Sequence, residues 1–403
     1  MKVLFLTIAR LPEINVRDDY AALIRMFRDN GCDTYMVSPR ERRYNLPTEK
    51  VMQNEVTRLF VKTLNIQKAN LIEKGLGTVL IEYQFKRAIK KYLGDLSFDL
   101  IIYSTPPISF PKVIEYLKKK NRNAVSYLLL KDIFPQNAVD LEMFSKRSFI
   151  YKFFRKKEQK LYELSDYIGC MSPANVEYLC KHNPSIDRNR VEVAPNATEL
   201  ENIEIDKDSP ESKAILAKFN LPLDKPIFIY GGNLGKPQGV PFLLECLEAN
   251  KNREDCHFLI VGTGTEYGKI EEWIKSANAK SVTLIPDLPK QDYDKLVKAC
   301  HVGLIFLDYR FTIPNYPSRL ISYLEYKMPV ISATDLISDV GPISEEHGYG
   351  YWCESNNVVA FTECVDRMIK SNIKAMGENG YDFLKKNYSL ENLYNPIASH
   401  INI

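Results

Sequence analysis

No uninterrupted apolar run of about 18 residues occurs in the 403-residue sequence, so no bilayer-spanning helix is expected. The N-terminal "MKVLFLTIARLPEINV" offers one lysine and a six-residue apolar run. That is shorter than a signal peptide's core and lacks a small-residue cleavage site, so a cytoplasmic protein is expected. Cysteine pairs are missing too: Cys32, Cys170, Cys180, Cys246, Cys256, Cys300, Cys353 and Cys364 stand far apart, with no C-x-x-C. This spacing argues for reduced, buried thiols rather than disulfides or zinc. Histidine is scarce; His182, His257, His301, His347 and His400 form no ligand spacing, and no metal site is expected. G-x-S-x-G, Ser-His-Asp, Walker A and the six-residue dinucleotide fingerprint are all absent, which excludes the commonest hydrolase and nucleotide-cofactor classes.

What is present is the composition of a globular protein, 45% hydrophobic and 26% charged, at a length that calls for two or three domains. The net charge of +3 hides an asymmetry. Residues 1–200 carry about 33 basic against 23 acidic side chains, and the remainder about 21 against 28. Short runs rich in Val, Ile, Phe and Tyr ("KVLFLTIA", "DTYMVSP", "RLFVKTLN", "DLIIYSTPP", "AVSYLLL", "DYIGCMSP", "VEVAPN") alternate with stretches of helical spacing. The pattern predicts an α/β fold with parallel sheets. After a polar, proline-bearing passage from Ala194 to about Pro226 the alternation restarts with "IFIYGGNLG", "HFLIVGTG", "VTLIPDL", "VGLIFLDY" and "PVISATD". Two doubly wound, Rossmann-like parallel-sheet domains facing a cleft are expected, 1–198 and 199–385, with a last helix at 386–403 packing on the first. In such sheets ligands sit beyond the carboxyl ends of the strands.

Three strand ends in the back half carry turn chemistry. "YGGNLGKPQG" offers Gly232 for close backbone approach to an anion, with Asn233, Lys236 and Gln238 as donors. "VGTG" places Gly262 and Gly264 after the next strand, and the loop Pro286-Asp287-Leu288 suits a base edge against an apolar wall. In "IPNYPSRLISYLEYKMPVIS", Ser318 and Arg319 stand at a helix mouth. Ser318 reads either as a plain cap or, with Arg319, as a phosphate site. Together the four segments favour a nucleotide diphosphate.

The order "GNLGKPQG", "IVGTG", "IPDLP" and "PSRLISYLEYKMPVIS", preceded by "TPPISF", "LKDIFPQ", "MSPAN" and "PN", resembles GT-B glycosyltransferases of family 4, in particular those assembling capsular and O-antigen polysaccharides. The resemblance spans nearly the whole chain and implies retaining, metal-independent transfer of a hexosyl or N-acetylhexosaminyl group from a sugar nucleotide, usually a UDP-sugar. It sets Gly232 to Gly239 against the diphosphate, Pro286 to Leu288 beside the base, and Ser318 with Arg319 at the phosphates. Relatives carry arginine at Asn233 and lysine at Gln238, so Lys236 and Arg319 are expected to take over charge neutralisation. Their glutamate pair falls here on Pro314 and Ser322, leaving Glu325 as the nearest acid for the ribose. Asn315, with Tyr309 and Arg310, would lie at the sugar. In the acceptor-binding first domain the resemblance places Lys131 and Asp132 at the sugar as catalytic candidates, Asp132 taking a proton or orienting the donor and Lys131 steadying a phosphate.

Residues 144–164, "FSKRSFIYKFFRKKEQKLYEL", set Phe149, Ile150, Phe153, Phe154 and Leu161 on one helical face among seven lysines and arginines. Such a helix either covers its own sheet or lies in a membrane interface, where it would bring the enzyme to a lipid-linked saccharide at the inner membrane face. No nucleic-acid partner is expected, because the basic residues lack interleaved stacking aromatics. Two alternatives stay open: a UDP-sugar epimerase of the same fold, and a non-catalytic nucleotide- or lipid-binding activator of another transferase.

Overall fold

The computed structural model describes residues 1–66, 71–201 and 204–401. The chain forms two compact units, one of Met1–Glu199 with Ser389–Ile403 and one of Leu200–Tyr388.

The first unit holds β1 (Lys2–Leu6), β2 (Asp33–Glu41), β3 (Glu49–Gln53), β4 (Val56–Thr63), β5 (Leu100–Thr105), β6 (Val125–Leu130), β7 (Tyr167–Cys170) and β8 (Val191–Val193). They form one sheet in the order β3-β4-β2-β1-β5-β6-β7-β8. All pairings are parallel but one, β3 with β4. That antiparallel edge departs from the all-parallel expectation. Asn54 and Glu55 both adopt positive φ, 46° and 63°, which closes a two-residue hairpin of the twist-compatible kind.

The second unit holds β9 (Ile227–Gly231), β10 (His257–Val261), β11 (Val282–Ile285), β12 (Val302–Phe306), β13 (Val330–Thr334) and β14 (Gly350–Glu354), ordered β11-β10-β9-β12-β13-β14 and parallel throughout. This is the doubly wound dinucleotide-type order, reversing direction between β9 and β12. β9, β10, β12 and β13 are buried along their whole length, which is why they read as near-continuous apolar runs: helices cover both faces.

Helix starts follow local chemistry. Asp18 accepts from the amides of Tyr20 and Ala21 at the head of helix Asp19–Asp29, and Ser148 accepts from Tyr151 at the head of helix Phe149–Leu164. At the chain's end, helix Leu390–Ser399 packs on helix Asp19–Asp29 within the first unit, its rim tied by a bridge between Thr198 and Ser389. Leu393 and Ile397 are fully buried there, and Tyr394 meets Phe27 with ring centroids 4.7 Å apart. Leu393→Ala is expected to cost about 2–5 kcal/mol of first-unit stability, the usual loss for a truncated core leucine. Urea unfolding measures it; a loss below about 0.5 kcal/mol, the range of surface changes, would show that the last helix is not part of that core.

Candidate active site

In the second unit the sheet's direction reverses beside β9, and there the chain leaves the strand through Gly232 at φ 122°. The loops after β9 and β10 lie backbone against backbone. Gly232 N donates to Val261 O at 2.9 Å, Leu234 N to Thr263 O at 2.9 Å, and Glu266 N to Leu234 O at 2.9 Å. A Cβ on Gly262 would stand 1.9 Å from Gly232 O, and one on Gly264 would stand 2.2 Å from Leu234 O. These two glycines are required by loop-on-loop packing, a demand that exists whether or not an anion binds.

Over this floor lies Arg319. Its Cζ sits 4.3 Å from the centroid of the Tyr230 ring, and a Cβ on Gly232 would be 3.6 Å from its Nη2. Burial works against its charge, and the oxygens of Tyr230, Tyr323 and Tyr293 offset that, so the guanidinium stays protonated. Among the described residues no carboxylate pairs with it, and Nη1 is buried without a hydrogen-bond partner. Tyr323 anchors the collar: its hydroxyl accepts from Gly231 N and donates to Ile229 O at 3.1 and 3.2 Å. A side chain at Gly231 would strike the Tyr293 hydroxyl. Sequence reasoning missed this tyrosine collar, because aromatics on strands and helices read as ordinary core.

Ser318 is exposed and precedes the helix in a helical conformation, with no side-chain cap bond. The capping alternative therefore fails. Helix Arg319–Glu325 is only seven residues long, so the anion-binding capacity here rests on the guanidinium more than on a dipole. Glu325, 5% exposed, stands at the other end of that helix, about 9 Å along the axis from Arg319. Lys236 is exposed on the loop with no ion-pair partner among the described residues. Gln238 Oε1 accepts from Asn233 Nδ2 and from Gly235 N, both at 3.1 Å, and so fixes the loop's shape. Asp287 is exposed and Leu288 half-buried after β11. Asn315 donates from its backbone to Ser338 Oγ at 2.9 Å. Arg310 forks onto Asp308 at 2.8 Å through Nε and Nη2, a pairing that the composition of "LDYR" alone did not reveal.

The first unit presents a second cluster beyond the carboxyl ends of β5, β6 and β8. Thr105 Oγ1 accepts from the amides of Lys131 and Asp132 at 3.1 and 3.3 Å. The Lys131 side chain is 9% exposed and donates to Pro195 O at 3.0 Å and Asn196 Oδ1 at 3.1 Å, with Asp19 Oδ2 at 4.0 Å. Its ammonium is thus spent on internal ties, which corrects the phosphate contact expected of it. Burial lowers the Lys131 pKa and pushes Asp19 up to about 6, against the pull of that lysine. Asp132 is likewise pushed up to about 6, by burial first and by the nearby Glu158 carboxylate, although Asn137 donates to its Oδ1 at 2.8 Å. Among the described residues no group of three His, Cys, Asp or Glu side chains is placed to hold a metal.

The face read in residues 144–164 divides. Leu161 and Tyr162 turn inward, and Phe154 meets Phe134 edge to face at 5.0 Å. Phe149, Ile150 and Phe153 turn outward, Phe149 being 81% exposed. Of the cations, Arg155 pairs with Glu158, Lys157 with Glu82 at 2.6 Å and Lys160 with Glu163 at 3.1 Å; Lys146, Arg147, Lys152 and Lys156 have no ion-pair partner among the described residues.

Two substitutions test this geometry. Gly262→Ala forces a methyl onto the Gly232 carbonyl at a φ of 151°, and a loss of about 2–4 kcal/mol is expected by denaturant melting. An unperturbed melt would show that the two loops do not approach. For Asp132, a folded-state pKa near 6 against about 3.9 unfolded means the native state holds the proton more tightly. Its charge therefore costs stability as pH rises from about 4 to 6, in full above 6. Asp132→Asn is expected to be more stable than the parent by ~1–3 kcal/mol near pH 7.5 and equal to it near pH 4. A variant less stable than the parent near pH 7.5 would overturn the raised pKa.

Residues 211–383 match the family model described as glycosyl transferases group 1. The "probable glycosyltransferase WbjE" of Pseudomonas aeruginosa is 23% identical over 348 residues, covering 85% of this chain and 83% of that one. Among solved structures, HepE of Anabaena in complex with UDP matches with a TM-score of 0.69 at 13% identity over 100% of both chains. WaaG, described as a glycosyltransferase involved in lipopolysaccharide biosynthesis, matches with a TM-score of 0.65 at 10% identity over 99% of this chain and 98% of that one. The family match falls inside the second unit and contains the glycine loops and Arg319; the protein is a glycosyltransferase built on the GT-B fold.

Proposed function

We propose that the protein transfers a sugar, with retention of anomeric configuration, from a UDP-sugar to a lipid-linked saccharide during surface polysaccharide assembly, as a family 4 enzyme of the capsule or O-antigen type. The observation that carries the donor assignment is Arg319. It is a half-buried guanidinium whose Nη1 is shielded and unpartnered, with no carboxylate pairing it among the described residues and two glycine loops beside it that admit a ligand close to the backbone. A pyrophosphate supplies the missing acceptors, and as the glycosidic bond breaks the charge developing on it is met by donors already in place. Lys236 adds a second positive charge in this reading, so the chain's own cations do the neutralising and no resident metal is called on.

In the first unit Asp132, titrating near 6, is able to take a proton from an acceptor hydroxyl near neutral pH, with Lys131 and Asn196 positioning the loops around it. A cavity of about 440 Å³ in the same unit, lined among others by Arg10, Arg40, Tyr44 and Phe60, has the aromatic and cationic walls that suit a saccharide. That HepE was solved with UDP and that WaaG is described by lipopolysaccharide biosynthesis are properties of those proteins. They support the donor and pathway classes. The outward Phe149, Ile150 and Phe153, beside four unpaired cations, support a cytoplasmic enzyme held peripherally at the inner membrane face.

Arg319→Ala is expected to weaken UDP binding by about 1.5–3 kcal/mol, the worth of a hydrogen bond to a charged group, as read by calorimetry or by ligand-dependent melting. Unchanged affinity would remove Arg319 from the donor site. Isomerised UDP-sugar formed without acceptor would favour an epimerase instead.

A further inference from the structure

Helix Leu71–Tyr92 and strand β4 of the first unit enclose a groove of about 610 Å³. Leu80, Gln84, Arg87 and Lys91 reach it from the helix at spacings of four, three and four, so one helical face builds one wall. Lys62 and Thr63 form the other wall at the end of β4, and Arg42 closes the rim. Among the described residues no carboxylate lines the groove. Arg42 is paired with Glu73 at 2.8 Å, but Lys62, Arg87 and Lys91 have no carboxylate partner among the described residues.

Two buried polar groups in the groove are also unspent. Thr63 is 2% exposed, and among the described residues neither its Oγ1 nor Oε1 of the half-buried Gln84 has a hydrogen-bond partner. A buried hydroxyl left unpaired carries a real penalty, and the Thr63 hydroxyl in a groove lined by Lys62, Arg87 and Lys91 marks a place where an oxygen-rich anion fits, while Gln84 Oε1 can only accept and is left for a donor on the headgroup.

The same helix turns an apolar stripe to solvent just N-terminal to the groove. Leu76, Val79, Leu80 and Tyr83 recur at i, i+3, i+4 and i+7, and Leu76 and Tyr83 are 55% and 62% exposed. A soluble anion would cover the cations and leave this stripe in water. An amphiphile covers both. The Lys157–Glu82 ion pair joins this helix to helix Phe149–Leu164, whose exposed phenylalanines lie in the same unit.

We propose that the groove between helix Leu71–Tyr92 and strand β4 seats the phosphate headgroup of an anionic phospholipid in a bilayer surface, Leu76, Val79, Leu80 and Tyr83 entering the acyl boundary. Arg87, Lys91 and Lys62 meet the phosphate charge, the Thr63 hydroxyl donates to a phosphate oxygen, and the Gln84 amide meets the polar headgroup. The inference rests on the reading of the first unit as membrane-facing and adds to it a headgroup site outside residues 144–164.

The test is flotation of the full-length protein with phosphatidylcholine vesicles, with and without phosphatidylglycerol. The parent is expected to float with phosphatidylglycerol vesicles. Arg87→Glu/Lys91→Glu is expected to partition about tenfold less or weaker still, with its UDP-dependent melting shift intact as proof of folding. The milder Thr63→Val removes one donor, and a several-fold loss is expected. Parent-like flotation of the Arg87→Glu/Lys91→Glu protein overturns the proposal. If Phe149→Ser/Phe153→Ser abolishes flotation in that case, the membrane reading survives without the groove; if the parent itself never floats, both fall. Glycerol phosphate stabilising the parent but not the double variant, with no vesicle binding by either, overturns the lipid in favour of a soluble anion.

Discussion

The contact on which the second unit's site depends is the approach of two backbones, Gly232 to Gly262, at the ends of neighbouring parallel strands. With a side chain at Gly262 the loops could not close to the distance at which Gly232 N reaches Val261 O. Closure brings Gly232 under the guanidinium of Arg319, and Tyr230 covers the guanidinium's other side. The energies then decide what the site is for. A cation–π contact returns about 1–2 kcal/mol, while desolvating a guanidinium costs several. The protein does not make up the difference with a carboxylate, as it does at Arg310 with Asp308. A partly buried cation with no carboxylate partner, preorganised against glycine backbone, is a poor stability device and a good anion receptor, since part of its desolvation precedes the ligand.

The first unit applies opposite logic at the corresponding sheet edge. There the cation is internally compensated: Lys131 is enclosed by Pro195, Asn196 and Asp19. The carboxyls are the groups left poised, with Asp19 and Asp132 both raised toward neutrality by burial. Charge placement thus differs between the units, a cation without a carboxylate partner at one edge and carboxyls raised toward neutrality at the other. Both lie beyond strand carboxyl ends because parallel sheets turn all their loops of one kind to a single edge.

How much of this was legible in the sequence differs by the kind of signal. Runs such as "IFIYGG" and "HFLIVG" announced their strands, because burial on both faces leaves nothing but apolar residues. β3 went unread: its hairpin turns on Asn54-Glu55 instead of Asn-Gly, and the glutamate's positive φ has no signature in composition. β14, with half-buried Tyr351 and Trp352, lacks the continuous apolar run of its neighbours and was missed for that reason. Arg319 was found because a charged residue at a helix mouth is conspicuous. The tyrosine collar that makes it desolvated was not, since nothing local distinguishes Tyr323 bonded to Gly231 from any core tyrosine. Lys131 was read as a ligand donor for a related reason: a sequence reports which groups can donate, and only the fold reports which are already engaged.

The same distinction bears on the basic front half. Its excess of charge is a sum over residues in different conditions. Arg25 with Glu199, Arg40 with Glu49, Lys118 with Asp166 and Lys157 with Glu82 are locally neutral pairs. Such pairs contribute little field beyond a Debye length of about 10 Å. Among the cations with no ion-pair partner in the described residues, Lys146, Arg147, Lys152 and Lys156 and, separately, Lys62, Arg87 and Lys91 stand near exposed apolar side chains of two linked helices. Had the excess been spread evenly it would act only on solubility. Where cations stand beside apolar side chains, as the proposed membrane association requires, charge would set the orientation toward an anionic surface at a distance and apolar burial would hold it on contact.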